Sequence, residues 1–143
     1  ARVGAKALEL THHMMIITFY AALFGLGLVW LSWRVIAVRR DKRVSIGDGD
    51  DKRLQHRIRG HANFTEFVPL GVILLGLVEW HWKLNWLTHA LGAMLFVGRV
   101  LHALAFNLAR MDFRLRSVGM VLTFCSLTFS SIALLIFLAQ KVL

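Results

Sequence analysis

The chain alternates long apolar stretches with short, strongly charged ones. Four stretches carry at most one formally charged side chain each: 14–33, 64–78, 84–109 and 117–140. The two charges inside them are Glu66 and Arg99. A helix needs roughly 20 mostly apolar residues to cross the hydrocarbon core of a bilayer. The pattern therefore predicts one all-α domain, residues 1–143, that is a bundle of four transmembrane helices. These helices are expected at about 10–38, 54–80, 84–109 and 116–141.

The positive charges are distributed unevenly around these helices, in a chain whose net charge is +9. Nine of the 17 Lys and Arg residues lie within 34–59, in the loop between the first two helices and the helix ends that flank it, and three follow the third helix: Arg110, Arg114 and Arg116. Cytoplasmic loops of membrane proteins carry such an excess. We expect both basic loops in the cytoplasm and both termini outside. Contact with anionic lipid headgroups then accounts for the charge better than nucleic acid does.

A polar stripe enters the second apolar stretch. Arg59, Asn63 and Glu66 are spaced i, i+4, i+7, so on a helix they share one face. A charge near the bilayer centre costs at least about 2.5–3.5 kcal/mol, and such residues face a partner helix or a wet cavity instead of lipid. The stripe therefore predicts a buried polar contact or a binding site.

The third helix has a matching stripe, with Arg99, His102 and Phe106 at i, i+3, i+7. The sequence favours an interhelical Glu66–Arg99 pair or a polar ligand shared between these two side chains. The pair alone could serve only to fix helix register. The number of converging donors favours a small anion of several charges, with an amine or amide that meets Glu66.

The start of the fourth helix, Arg116–Ser117, places an arginine beside helix N-terminal N–H groups, which is a typical arrangement for anion binding. Taken alone, this feature equally fits an ordinary arginine at the membrane interface. The lone Cys125 is interpreted as a small apolar filler. No spacing of His, Cys or acidic residues predicts a metal site.

Three motifs resemble one known family. "RIRGHANFTEFVPL" resembles the R-x-x-x-N-x-x-E signature of the MAPEG family, the membrane-associated proteins in eicosanoid and glutathione metabolism. "VGRVLHALAF" is similar to the family's third helix, and "RLRS" to the Arg-Ser pair that opens its fourth helix. The likeness runs from about Thr11 to Leu143 and is strongest to the small members of the bacterial inner membrane.

The resemblance implies four-helix subunits that assemble as homotrimers and bind glutathione between subunits, near the cytoplasmic side. By family correspondence, the glutathione-binding residues are Arg59, Asn63, Glu66, Arg99, His102 and, from the neighbouring subunit, Arg39. Within that set, Glu66 meets the γ-glutamyl amine. Arg116, with Ser117 beside it, lies at the thiol and is the catalytic group. The implied partners are the bilayer and a lipophilic substrate.

This chain departs from the family pattern at the third and fourth helices. Family enzymes commonly carry a tyrosine where Phe106 stands, and Phe106 has no hydroxyl to offer a thiolate. The segment before Arg116 differs in length from that of bacterial members, so Arg114 is its rival at the thiol. Some family members also have polar ligand contacts on the fourth helix where this chain is apolar, at Met120, Val121 and Phe124.

Two functions from different classes follow. The first is a glutathione-dependent transferase or peroxidase that activates the thiol for attack on a lipophilic electrophile or lipid hydroperoxide. The second is a non-catalytic membrane protein that binds a lipid headgroup or partner proteins through the same polar pocket. A channel or transporter is disfavoured, because one polar stripe on each of two helices forms a pocket more readily than a continuous path.

Overall fold

The computed structural model describes residues 14–107 and 111–142 of the chain. Within these residues it contains four helices: α1 (Met15–Lys42), α2 (Lys52–Trp82), α3 (Asn85–Asn107) and α4 (Phe113–Val142). All four are long and apolar enough to cross a membrane. The predicted all-α, four-helix architecture is confirmed. Residues 10–13 and 108–109 of the predicted helices lie outside the described residues.

The observed helix ends are set by capping groups. α1 runs four residues further than predicted and ends at Arg43, whose left-handed backbone lets its N–H donate to the Arg39 and Arg40 carbonyls. α4 begins one turn earlier than predicted, because the Asp112 carboxylate accepts the N–H groups of Arg114 and Leu115. We call the end of the bundle with the 43–51 loop and the start of α4 the basic end.

The 43–51 loop leads into α2 through a second cap. The Asp51 carboxylate accepts the Leu54 N–H at 2.8 Å and pairs with Lys42 at 3.2 Å. The Leu54 N–H, and then Lys42, hold the pKa of Asp51 below its usual value. The loop is thereby tied to both helices that it connects.

An apolar core joins α1, α2 and α3. Large side chains from one face of each helix make it up: Ile16, Ile17, Tyr20, Phe24, Leu31, Phe64, Val68, Leu75, Val78, Leu91 and Leu95. Phe24 lies at its centre, with ring centroids 6.1 Å from Phe64 and 5.8 Å from Phe96. This core fixes α1 against the α2–α3 hairpin.

α4 packs on the bundle in a different way, through a seam of small residues. Its buried positions are Gly119, Thr123, Ser126 and Ser130. A Cβ at Gly119 would lie 2.6 Å from the Gly98 carbonyl oxygen, so the two backbones are in close contact. The Ser126 hydroxyl donates to the Leu91 carbonyl at 2.8 Å. Small residues at helix contacts are what bilayers favour, because they allow van der Waals packing without bulk.

A buried carboxylate closes the end of the bundle opposite the basic end. Glu79, on the last turn of α2, is 3% exposed. Its two oxygens accept the N–H groups of Ile16 and Ile17 at 3.0 and 2.8 Å. The first turn of a helix has unsatisfied N–H groups and a partial positive charge. Met14, the residue at the N-cap position of α1, makes no capping hydrogen bond with its side chain. Glu79 therefore caps α1 from another helix.

Candidate functional site

The polar stripe of α2 lies on the outside of the bundle. Arg59 and Glu66 are exposed and Asn63 is half-buried. The Asn63 side-chain amide donates to the Arg59 carbonyl at 3.0 Å, which holds the first two members of the stripe on one turn. The exposed positions that continue this face toward the opposite end are apolar: Leu70, Ile73 and Leu77. The stripe is thus a polar patch on a face that is otherwise suited to lipid or to another helix.

Arg99 lies directly behind this patch and is 1% exposed. Its guanidinium ties three helices together by donating to the Thr123 hydroxyl (2.9 Å), the Asn63 carbonyl (3.2 Å) and the Met120 sulfur (3.3 Å). It also lies 5.2 Å from the centre of the Phe67 ring. All of these partners are neutral, so Arg99 brings a positive charge into the bundle beside the stripe.

The expected Glu66–Arg99 pair is absent. Among the described residues the one ion pair within 4.0 Å is that of Lys42 with Asp51. The reason lies in helix geometry. Arg99 reaches α2 at the Phe67 ring, and successive residues on a helix point about 100° apart. Glu66 is therefore turned outward, away from Arg99. The alternative of a polar ligand shared between them stays a prediction.

Phe106 is the centre of an aromatic and cationic cluster at the basic end. It is 6% exposed, and its ring centroid lies 5.2 Å from that of His102 and 6.3 Å from that of His56. The Arg116 guanidinium lies 5.5 Å from the centre of the same ring. His102 itself is 3% exposed and contacts the α3–α4 seam at Gly119. The ring of Phe106 thus lies beside both buried His102 and exposed Arg116.

The first turn of α4 differs from the expectation. Arg116 and Ser117 do not open this helix but are its fourth and fifth residues, and both are exposed. The N–H groups of residues 114 and 115 already bond to the Asp112 carboxylate, and that of Arg116 bonds to the Asp112 carbonyl at 3.1 Å. The predicted anion site made of free N-terminal N–H groups is therefore wrong. What this turn offers an anion is the Arg116 side chain.

Arg39, the residue expected to reach a neighbouring subunit, lies near the end of α1. It is half-buried, and its Nη1 donates to the Ser45 carbonyl at 3.3 Å. The structure thus directs this side chain to the 43–51 loop of its own chain. Within residues 14–107 and 111–142, no group of three or more His, Cys, Asp or Glu side chains is arranged to hold a metal ion.

The sequence patterns did not single out two buried charged residues. Glu79 adjoins the aromatic turn between α2 and α3, where a charged residue is common. Arg57 is one of many basic residues in its segment, yet it is only 7% exposed. Its position is the available signal: Arg57 is i−7 from Phe64 and therefore shares the core face of α2.

Comparison with known proteins agrees with this architecture. The sequence profile of the MAPEG family matches residues 17–136. The chain is 35% identical over 113 residues to the inner membrane protein YecN of Escherichia coli K12, and equally so to YecN of strain CFT073 of E. coli O6:H1. Each alignment covers 79% of this chain and 85% of YecN. With four membrane-length helices and a match over most of its length, the chain belongs to the MAPEG family.

Proposed function

We propose that this chain is a subunit of a homotrimeric, glutathione-dependent transferase or peroxidase of the bacterial inner membrane. The observation that carries the proposal is the outward polar patch of Arg59, Asn63 and Glu66 on an otherwise apolar helix face. Lipid would not tolerate this patch uncovered. A second copy of the chain that packs on it would enclose a polar pocket at a subunit interface.

The chemistry of the patch suits glutathione. The tripeptide has two carboxylates, an amine and two amides, and a single patch here offers the complementary groups. The Arg59 guanidinium and the Asn63 amide suit carboxylate and backbone oxygens, and the outward Glu66 suits the γ-glutamyl amine. Because Glu66 is not paired with Arg99, its carboxylate is available for that amine. A phosphate ligand would be repelled by Glu66, so the patch favours a ligand that carries both signs of charge.

Bound at this patch, glutathione would supply a thiol as the nucleophile or reductant. The role of the protein is to hold that thiol as thiolate, and nearby positive charge lowers a thiol pKa from about 8.5. Arg116 is the candidate, since its guanidinium lies over Phe106 on the same end of the bundle. Arg99 adds a buried positive charge from behind the patch. A lipophilic electrophile or hydroperoxide would approach from the bilayer, so that the pocket brings polar and apolar reactants together.

The proposed location and orientation rest on two arguments. YecN is named an inner membrane protein, and this chain aligns with 85% of it. The 43–51 loop and its flanks carry most of the positive charge, so the basic end is assigned to the cytoplasm and the turn between α2 and α3 to the outside. The proposed glutathione pocket would then open toward the compartment where glutathione is abundant as the reduced thiol.

One observation favours a second candidate, a non-catalytic protein that uses the same pocket. Phe106 lies beside both His102 and Arg116 and has no hydroxyl to hold a thiolate. The same pocket then suits a protein that binds glutathione, a lipid headgroup or partner proteins without activating a thiol. The measurable difference is a bound glutathione thiolate, which only the enzyme forms.

The decisive experiment measures glutathione binding to the detergent-purified chain and then the ultraviolet absorbance of bound thiolate. We expect saturable binding, which Glu66→Gln weakens by about tenfold or more because a charge-assisted bond to the amine is lost. His102→Gln should weaken binding less, because His102 is buried behind Phe106. Arg116→Ala should abolish the thiolate signal, whereas the control Arg114→Ala should keep it.

Three other results are informative. Binding without thiolate in the wild type would select the non-catalytic candidate. A thiolate signal lost in Arg114→Ala but kept in Arg116→Ala would exchange the roles of these arginines. Equal affinity of the wild type, Glu66→Gln and His102→Gln would exclude Glu66 from the site, and no binding at millimolar glutathione would end the proposal.

A further inference from the structure

Three arginines, Arg34 of α1 and Arg53 and Arg57 of α2, form what we call the cationic cluster. Its buried member, Arg57, lies on the face of α2 opposite the glutathione patch. Arg57 and Arg59 are two residues apart, so their side chains point about 200° apart around the helix. Arg59 is exposed, whereas Arg57 is 7% exposed and lies on the buried face of α2 with Phe64. Arg57 is therefore not part of the glutathione patch, and the function proposed for Arg59 does not explain why an arginine is buried at position 57.

Arg57 is a buried cation without a counter-ion. Its Nη1 is buried and has no hydrogen-bond partner among the described residues, and no described carboxylate lies within 4.0 Å. The charges that act on it are those of Arg34, on α1, and Arg53, one turn earlier on α2. Neighbouring like charges repel one another, and a buried donor left unbonded is unfavourable. Such a cluster is stable when an anion lies among its members.

An apolar cleft of about 230 Å³ lies between α1 and α3, and its lining reaches Trp30, the residue on which Arg34 stacks. Its lining is contributed by three helices: Leu23, Phe24, Gly27, Trp30, Leu31, Phe64, Phe96, Arg99, Val100, Ala103 and Leu104. Several of these residues are partly open to the outside of the bundle, among them Trp30 (43%) and Leu104 (40%). The cleft is thus a slot that a flexible apolar chain can enter from the bilayer.

On each of the three helices, a polar residue lies one or two turns from a residue that lines the cleft. On α1, Arg34 lies one turn from Trp30 and stacks on it at 5.4 Å. On α2, Arg57 lies two turns from Phe64 on the same face, toward the basic end. On α3, Asn107 lies one turn beyond Ala103, against the turn of Gly60. The helices thus place polar groups at the basic end and cleft walls one or two turns deeper.

We propose that this cluster and cleft together bind one anionic phospholipid. Its phosphate lies among Arg34, Arg53 and Arg57, and one acyl chain occupies the cleft beside Gly27. Among the described residues the Oδ1 of Asn107 is buried and has no hydrogen-bond partner, which suits a headgroup that donates a hydroxyl. Phosphatidylglycerol has a phosphate, free hydroxyls and acyl chains, and it is therefore the ligand to test. The cleft shares Arg99 with the proposed glutathione pocket, but the residues proposed to hold the phosphate are different from Arg59, Asn63 and Glu66.

The test is titration of the full-length, delipidated chain with phosphatidylglycerol in detergent, with bound lipid counted by native mass spectrometry. We expect one tightly held lipid per chain. Arg34→Gln and Arg57→Gln should each weaken it by about tenfold or more, as expected for loss of a charge-assisted bond. Arg40→Gln is the matched control, because Arg40 also stacks on an α1 tryptophan, Trp33, at 6.0 Å, away from the cluster.

A cleft-filling variant tests the acyl chain separately. A Cβ at Gly27 meets only the edge of the Phe64 ring, at 3.2 Å, and no backbone atom of another helix within 4 Å, so Gly27→Leu is chosen to fill the cleft. We expect it to weaken the lipid as strongly as Arg34→Gln does. Circular dichroism confirms folding of each variant, and if Arg57→Gln does not fold, Arg34→Gln and Gly27→Leu decide.

Three results would overturn the proposal. The first is no retained lipid in the wild type. The second is equal retention in Arg34→Gln and Arg40→Gln, which would remove the phosphate from the cluster. The third is displacement of the lipid by equimolar inorganic phosphate together with normal retention in Gly27→Leu, which would assign the cluster to free phosphate and leave the cleft without a role.

Discussion

Replacing Gly119 with alanine is expected to lower the free energy of unfolding by about 3 kcal/mol, the upper range for overpacking a close contact. A Cβ at this position would lie 2.6 Å from the Gly98 carbonyl oxygen and 2.7 Å from the His102 nitrogen. Both are backbone atoms, so no side-chain rotation relieves the overlap and α4 must move away from α3. The measurement is unfolding of the purified chain in mixed micelles, followed by circular dichroism.

Gly25→Ala is the matched control, since it is the same substitution in the middle of another helix. A Cβ at Gly25 meets nothing within 4 Å. We expect this variant to be as stable as the wild type, or more stable by up to about 1 kcal/mol, because alanine has the higher helix propensity. If Gly119→Ala behaves like Gly25→Ala, the close contact of α3 with α4 is not what holds α4 in place.

Replacing Glu79 with glutamine should destabilise the chain by about 2–3 kcal/mol. The carboxylate accepts two N–H groups at the start of α1, and glutamine retains only one acceptor oxygen. The substitution leaves one buried N–H unbonded and removes the negative charge that faces the helix dipole. Hydrogen exchange at the Ile16 and Ile17 amides should accelerate together with the loss of global stability.

Glu66→Gln provides the comparison, because it removes the same charge from the same helix. Glu66 is exposed and accepts no hydrogen bond from the described residues, so in the absence of ligand we expect no change in unfolding free energy. If both variants are as stable as the wild type, Glu79 does not cap α1. If both are destabilised by the same amount, the cause is a general effect of charge on α2.

The fold was predictable because its signal is coarse. Four stretches of low charge and membrane length suffice for four helices, and the basic loops give their connections. The hydropathy pattern does not show which residues of each helix contact the neighbouring helices. Gly119, Thr123, Ser126 and Ser130 do not stand out inside an apolar stretch, yet they form the whole buried seam of α4. Their significance depends on how closely two backbones approach, which is a tertiary property.

The candidate site was predictable only to the level of the helix face. The i, i+4, i+7 spacing placed Arg59, Asn63 and Glu66 on one side of α2, and the structure has them on one outward patch. The spacing could not tell which carboxylate meets which cation. Arg99 donates to a backbone carbonyl, a hydroxyl and a thioether. Because these partners are uncharged, pairing opposite charges along the sequence does not identify them.

The register of α4 shows a similar limit. The end of the preceding charged segment suggested Arg116 as the first residue, but the Asp112 carboxylate starts the helix one turn earlier. Such a cap is recognisable in retrospect from an aspartate shortly before an apolar run. The shift matters for chemistry, because it transfers the anion-binding role from backbone amides to one arginine side chain.

The Glu79 cap also has a consequence for biosynthesis. The two N–H groups at the start of α1 are made first, and the carboxylate that satisfies them follows 63 and 62 residues later. At a synthesis rate of roughly 5–20 residues per second, the wait lasts roughly 3–12 s. During that interval the nascent first helix has an uncapped end, which water can solvate and hydrocarbon cannot. The first turn of α1 is therefore expected to stay at the aqueous interface until the second helix has been inserted. Only then does it reach its final depth in the membrane.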